Sequence, residues 1–366
     1  MLADGTIEAF RLQAHFCHEF DSPLYGELLA HAADDIEAGG SFAALLDGWQ
    51  GRPMPEALPL RLLGAVHRLV LDGAAPALAR FYPSVGGTPR APDTWLALRA
   101  LVAARAGELR PALDRQVQTN EVRRSAALLG GFLTVAGGTG LSLRLREIGS
   151  SAGLNLGWDR ARYEFAPCAA DTPPATDAVF TPAWGATEAA LVLRCGWYGA
   201  RAVLAGSARV ASRAGCDIAP VDVADADQAR RLESFVWPDQ VQRLQQLRAA
   251  IDVARRDPPR LIRRGAADWL AEQLAAPVAG VATVVFHSIM WWYLSEEERQ
   301  RVVAILAAAA ARATPAAPLA WLRLELQGAP KADLRLTQWP GGAEELLGYG
   351  DPHGRWVTWL GGGDGA

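Results

Sequence analysis

Apolar residues recur at helical spacing through the first third of the chain. In TIEAFRLQAHFCHEF they fall at Ile7, Phe10, Ala14 and Cys17, on one helix face. SPLYGELLAHAADDIEAGG opens on Ser22 as a candidate N-cap, with Pro23 in the first turn, and closes on Gly39-Gly40. ALPLRLLGAVHRLVLDG and DTWLALRALVAARAGEL carry the same period. TNEVRRSAALLGGFLTVAGG starts after the polar Thr119-Asn120 pair and is expected to stop at Gly137-Gly138. No strand-like run precedes Leu143.

The pattern then changes. LSLRLREIG is a short strand-like run, and LNLGWDRARYEF follows it. Residues 166–189 are rich in Pro, Ala and Thr and read as a flexible excursion, with ALVLRCGW as a strand within or after it. ARVASRAGCDIAPVDV holds a second core strand ending near Asp217, and DQVQRLQQLRAAIDVARR is a helix, with Pro238 of WPDQ in its first turn. RLIRRGAADWLAEQLA reads as a weak strand, a turn at Gly265 and a helix. VATVVFHSIMWWYL is a buried strand, and SEEERQRVVAILAAAAARA a helix capped by Ser295. PLAWLRLEL, ADLRLTQWPGG and HGRWVTWL are further strands, the last two expected to be antiparallel. Strands alternating with helices predict a parallel sheet. The expected fold is α/β: a helical cap over residues 1–115, then a Rossmann-like, doubly wound, mostly parallel sheet over 116–366. An antiparallel edge and an excursion at about 166–205 complete it.

Composition narrows the function. The chain has 366 residues, 50% of them hydrophobic, enough for a large core and against wholesale disorder. A net charge of -4 leaves no basic footprint for nucleic acid, which favours a small-molecule substrate. Cys17, Cys168, Cys195 and Cys216 form no C-x-x-C pair and read as reduced thiols of a cytoplasmic protein. MLADGTIEAF has neither the basic region nor the apolar run of a signal peptide. No uninterrupted apolar stretch reaches the ~18 residues of a membrane span.

The stretch LREIGSSAGLN supports two chemistries. Gly149-Ser150-Ser151-Ala152-Gly153 spells G-x-S-x-G, the elbow of a serine hydrolase, and the triad order is available with Asp217 or Asp222 and His287 or His353. An elbow needs earlier strands, and everything upstream reads as helix. The alternative is a strand ending in Glu147, then a small-residue turn that lets backbone approach a nucleoside ligand. Three later strand ends then carry polar residues in order: Asp217, placed to accept ribose hydroxyls, Asp268 for an adenine amino group, and His287-Ser288 beside the reacting centre.

EIGSSAG resembles the first motif of class I S-adenosylmethionine-dependent methyltransferases, an acid-x-G-x-G-x-G turn. GCDIAPVD, GAADWL and VVFHSIMWWYL resemble their second, third and fourth motifs. This resemblance covers roughly residues 115–360. It implies S-adenosylmethionine as cofactor and methyl transfer as the reaction. Glu147 would lie at the cofactor's amino group, and Gly149, Ser150, Ser151, Gly153 and Asn155 around its amino-acid part. Asp217 would hold the ribose, and Asp268 and Trp269 the adenine. Ser151 stands where that motif has its middle glycine. The whole chain more closely resembles a bacterial family catalogued as a domain of unknown function (number 2332). The stretches that carry this are SPLYGELL, ALPLRLLGAVHRLVL, VQTNEVRRSAALLGGFL, REIGSSAGLNLGWDR, GCDIAPVD, FVWPDQVQRL, TVVFHSIMWWYL and LRLTQWPGG. A nucleoside-binding protein without catalysis is the other reading of the same turn.

Further residues have two readings each. Gln118, Asn120, Glu121 and Arg123 either cap a helix start or lie over the cofactor, and Arg123 or Arg124 would meet an acidic substrate. His287 is the acid–base candidate or a hydrogen-bonded structural histidine. Trp291, Trp292 and Tyr293 wall a pocket or fill a core. His15 and His18 share a helix face and hint at a metal with His31, but too few ligands converge, so no metal is expected.

Overall fold

The computed structural model describes residues 2–327 and 331–361. The chain forms two compact units, Met1–Thr119 with Ala224–Arg248, and Asn120–Val223 with Ala249–Ala366. The helical unit thus takes in a later segment that the contiguous boundary at 115 assigned to the sheet.

The first unit contains α1 (Thr6–Glu19), α2 (Pro23–Glu37), α3 (Ser41–Leu46), α4 (Leu58–Leu71), α5 (Pro76–Ala79), α6 (Ala91–Ala104) and α7 (Ala106–Leu109). Phe10, Ala14 and Cys17 of α1 are buried, as their spacing predicts, while Ile7 lies at the rim. Ser22 precedes α2, but its side chain does not cap it. Asp239 does so instead: its Oδ2 accepts from Leu24 N at 3.0 Å, and its Oδ1 accepts from Ser22 Oγ at 2.6 Å.

His67 of α4 is fully buried, with Nδ1 3.1 Å from the Ser234 carbonyl and Nε2 2.8 Å from Ser84 Oγ. Burial pushes its pKa down from 6.5 to about 4. The unfolded chain therefore takes up a proton first on acidification. The contribution to stability is full above about pH 6.5 and falls as the pH drops towards 4. The loss over that window is expected to be roughly 3 kcal/mol. Urea unfolding of the protein and of His67→Gln across these pH values checks it, since carboxylates titrate in both proteins and only the difference belongs to His67.

The second unit opens with α8 (Ser125–Thr139). This helix runs through Gly137-Gly138 and stops at Gly140, whose φ is +67°. Its first eleven residues pack so closely that a Cβ on Gly130 would meet the Trp359 ring at 2.3 Å, and one on Gly131 would meet Leu322 at 2.4 Å. Tertiary packing of a helix apolar on all sides overrides the weak helix propensity of its glycines. After it come β1 (Ser142–Ile148), β2 (Ala161–Pro167), β3 (Thr181–Trp184), β4 (Leu191–Tyr198) and β5 (Val210–Asp217). The chain passes through α9 (Ala226–Ser234) in the first unit and along α10 (Val241–Arg256), which starts at Val241, after rather than within WPDQ. It then adds β6 (Arg260–Arg263), α11 (Ala266–Gln273), β7 (Val281–Ser288), α12 (Glu296–Ala310), β8 (Leu319–Leu326), β9 (Ala332–Trp339), β10 (Glu344–Gly350) and β11 (Trp356–Trp359).

The eleven strands of the described residues form one sheet in the order β3-β2-β4-β11-β10-β9-β8-β7-β1-β5-β6. Six of its ten pairings are parallel, so the sheet is mostly parallel, as the alternation of strands and helices predicts. Two expectations fail. The late antiparallel strands do not end the sheet: β11 pairs in parallel with β4, so the β9-β10-β11 meander lies inside. The excursion of residues 166–189 is not simply a flexible loop either, because β3 arises within it and pairs with β2, while β4 is the strand expected in ALVLRCGW. A sheet edge leaves a row of backbone donors and acceptors unpaired, and β4 satisfies those of β11. The outermost β3 is short and carries Pro182, which suits an edge strand. Among the described residues no helix is long and apolar enough to cross a membrane.

Candidate site at the carboxyl ends of β1, β5 and β7

In β1, flanked by β5 and β7, side chains alternate between the two sheet faces. Glu147 shares the level and face of Phe286, whose ring meets Phe132 of α8 edge-on at 5.1 Å. Arg146 points the other way, and its Nε donates to Gln273 Oε1 of α11 at 2.8 Å. Past the strand, the backbone takes positive φ at Gly149 (+64°), Ser151 (+51°) and Gly153 (+67°). The spacing of small residues in the sequence thus marks three left-handed positions, and Ser151 occupies the middle one at a steric cost a glycine would not bear.

The turn is held from both sides. Ser150 N and Oγ both donate to the Cys216 carbonyl, at 3.0 and 3.2 Å. Ser151 N donates to Asp217 Oδ2 at 2.9 Å, and Asp217 Oδ1 accepts from Ala219 N at 2.9 Å, so this one carboxylate ties the β1 and β5 turns together. Gly215 on β5 is needed for the fit, because a Cβ there would meet Ser150 Cβ at 2.7 Å. The space beside Gly149 is filled by Met290, and that beside Gly153 by Leu261 and Pro259.

Two polar atoms are left over. Glu147 Oε2 and Ser151 Oγ are buried and have no hydrogen-bond partner. Burial holds the Glu147 carboxyl well above its usual range, the Asp217 charge pushes it the same way, and only the Arg124 guanidinium opposes them. Burial thus favours the protonated, neutral form of the Glu147 carboxyl. Arg124 reaches this end of the sheet through bonds from Nε to the Pro352 carbonyl at 2.9 Å and from Nη1 to the Ser288 carbonyl at 3.3 Å.

The segment before α8 lies against the turn. Asn120 Oδ1 accepts from Leu154 N at 2.9 Å, which caps the 3-10 segment Leu154–Arg160. Asn155 is fully buried, and its Oδ1 accepts from Ser125 Oγ at 2.8 Å. Both asparagines thus shape the turn from within the protein. Glu121 accepts from Arg123 N at 3.2 Å and caps its own 3-10 turn. Arg123 packs against Gly354, on the β11 side. Gln118 belongs to the first unit.

The remaining predicted positions are not gathered at this turn. Asp268 is exposed and ion-paired with Arg301 of α12, while Trp269 is 1% exposed in the core with Ile148 and Val285. Turning Trp269 inwards rotates its neighbour Asp268 outwards, about 100° around the helix, so an inward role for both is lost. His287 is 0% exposed, with Nδ1 2.6 Å from Glu325 Oε1 and Nε2 accepting from Trp321 Nε1 at 3.2 Å. Both ring nitrogens are thus engaged within the protein. Trp291 stacks on the His287 ring at 5.1 Å, whereas Trp292 and Tyr293 are 62% and 72% exposed.

Glu325 is the residue that sequence reasoning missed. It accepts from Met290 N at 3.1 Å and from Trp291 N at 3.2 Å as well as from His287. It clamps a turn in which Ile289 has φ +50°, an outlier for a β-branched residue. The signal in PLAWLRLEL was an acid at an apolar-run position. Among the described residues no group of three or more His, Cys, Asp or Glu is arranged for a metal ion. His15 instead lies 3.4 Å from Glu19, and His31 stacks on Trp95.

The chain belongs to the family described as an uncharacterized protein conserved in bacteria (DUF2332), whose model matches residues 7–359. No curated protein and no solved structure matches it.

Proposed function

For this member of the family we propose binding of a nucleoside cofactor of the S-adenosylmethionine type at the carboxyl ends of β1 and β5, and methyl transfer to a small molecule. One observation carries the proposal: a turn of three alternating left-handed residues leaves the buried Glu147 Oε2 and Ser151 Oγ without partners at the end of β1. Strand order supports it. The parallel strands β6-β5-β1-β7-β8 run third, second, first, fourth, fifth in their own sequence order, the doubly wound arrangement in which ligands bind where the order reverses. The reversal falls at β1.

The donor set fits such a group. A neutral Glu147 offers both an O–H donor and an acceptor, and Ser151 Oγ offers the same. Each Asp217 oxygen accepts one N–H and keeps acceptor capacity for ribose hydroxyls. Arg124 supplies positive charge for a carboxylate at the turn. The cofactor's sulfonium, when bound, supplies the methyl group. The protein's part is to orient the partners and exclude water. Neither Asp268 nor His287 keeps its earlier role, so the chain carries no assigned base. That engagement of His287 favours a second reading, a nucleoside-binding protein without catalysis. The hydrolase reading loses its footing because no histidine meets Ser151 Oγ.

Calorimetric titration with S-adenosylmethionine and S-adenosylhomocysteine tests the proposal, with Asp217→Ala and Ser151→Gly alongside. Binding is expected to be lost in Asp217→Ala and weakened in Ser151→Gly, which removes the unpartnered Oγ. The glycine variant should also be more stable by about 1 kcal/mol, from relief of the left-handed serine. The absence of both heat and thermal shift with either ligand overturns the proposal.

A further inference from the structure

We propose a second ligand site, for a phosphate-bearing small molecule, at the amino-terminal ends of β1 and β7 on the sheet face covered by α11 and α12. The pleat of β1 places Arg144 and Arg146 on that face, opposite Leu145 and Glu147. Register aligns Arg146 with Ala214 and Ala214 with Arg260, so a third guanidinium starts from the same row. Arg312, just beyond α12, is the fourth. Arg144, Thr283 and Arg312 bound a shallow, open cleft, whose other walls include Leu274, Pro277 and Pro318.

The acceptors that Arg144, Arg146 and Arg312 meet are neutral. Arg144 Nη2 donates to the Gln273 carbonyl at 2.9 Å, and Arg312 Nη2 donates to the Leu274 carbonyl at 2.7 Å. Arg146 donates to Gln273 Oε1 and to the Leu145 carbonyl, at 2.8 and 2.7 Å. The two acids of α11 are already committed, Asp268 to Arg301 and Glu272 to Arg264. Arg146 is 8% exposed, and burial, with Arg144 and Arg260 beside it, pushes its pKa down to about 10. Buried charge is ordinarily paired. Capping of α11 accounts for part of the arrangement, but a helix carboxyl end offers only about half a negative charge against these cations.

A phosphate answers both features. Guanidinium forks match its oxygens bidentately, and the apolar walls suit the body of an ester.

The test titrates the intact protein with inorganic phosphate, pyrophosphate and phenyl phosphate, and repeats this on Arg312→Gln and Arg144→Gln. Arg312 is exposed, so its replacement leaves folding intact and keeps the test readable if Arg144→Gln misfolds. Saturable binding that weakens about tenfold or more in Arg312→Gln, and weakens with added salt, is expected. Phenyl phosphate binding tightest supports an ester as the ligand, and pyrophosphate binding tightest supports a free oligophosphate. No binding of any probe at millimolar concentration, or affinities unchanged by Arg312→Gln, overturns the site. Binding of S-adenosylhomocysteine is expected to be the same in Arg312→Gln, so this inference and the proposed function fail independently.

Discussion

Glu325→Ala is expected to destabilise the second unit by about 3–5 kcal/mol, the range for breaking a buried ionic or hydrogen-bonded pair from one side. Glu325 is 6% exposed and serves three donors at once: His287 Nδ1, Met290 N and Trp291 N. Alanine leaves all three unsatisfied in a buried setting, where each orphaned group costs free energy comparable to its desolvation. The clamp also holds Ile289 in a left-handed conformation that persists only while its surroundings impose it. The loop from Ile289 to Tyr293 should therefore relax, and Met290 should leave the space beside Gly149. Urea unfolding gives the stability loss, and tryptophan fluorescence at low denaturant reports the movement of Trp291 and Trp292. Glu325→Gln keeps one acceptor and should lose less. A loss below about 1 kcal/mol for the alanine variant would mean that the His287–Glu325 pair is dispensable.

Glu147→Gln is expected to do two opposite things. The Glu147 pKa is raised in the folded state by burial first and by Asp217 second. A carboxyl whose folded pKa lies above its unfolded value favours folding most at low pH, below the unfolded pKa, and loses that contribution as the pH rises through the folded value. Glutamine cannot ionise. The variant should match the protein near pH 4 and become progressively more stable than it as the pH rises, which thermal melts across the range would follow. Cofactor affinity should move the other way. Glutamine keeps the carbonyl acceptor and replaces O–H with an amide, so a loss of about tenfold is expected, the equivalent of one good hydrogen bond. Greater stability with weaker binding is the mark of a group kept for function at the expense of the fold. A variant less stable than the protein at pH 8 would refute the neutral, unpartnered state assigned to Glu147.

Much of this molecule was legible one residue at a time. Helical periods gave α1, α2, α4 and α6, and the continuous apolar run gave β7. The small residues at 149, 151 and 153 announced a turn whose backbone is indeed left-handed at those positions. These properties are local: they depend on side-chain spacing along a few turns or on the φ values that small residues tolerate. Partnership is not local. Whether Asp268 faces a ligand or Arg301 is decided by how α11 rotates to bury Trp269. Whether His287 is free is decided by Glu325, 38 residues away on the next strand. Whether the closing hairpin is an edge is decided by β4, which lies more than 150 residues earlier and reaches β11 only through the finished sheet. The sequence by itself determined the kinds of element and the place of the turn. Tertiary structure alone decided which polar groups were consumed by the fold and which, Glu147 Oε2 and Ser151 Oγ among them, were left without partners, because a hydrogen bond between distant residues exists only once the backbone has brought them together.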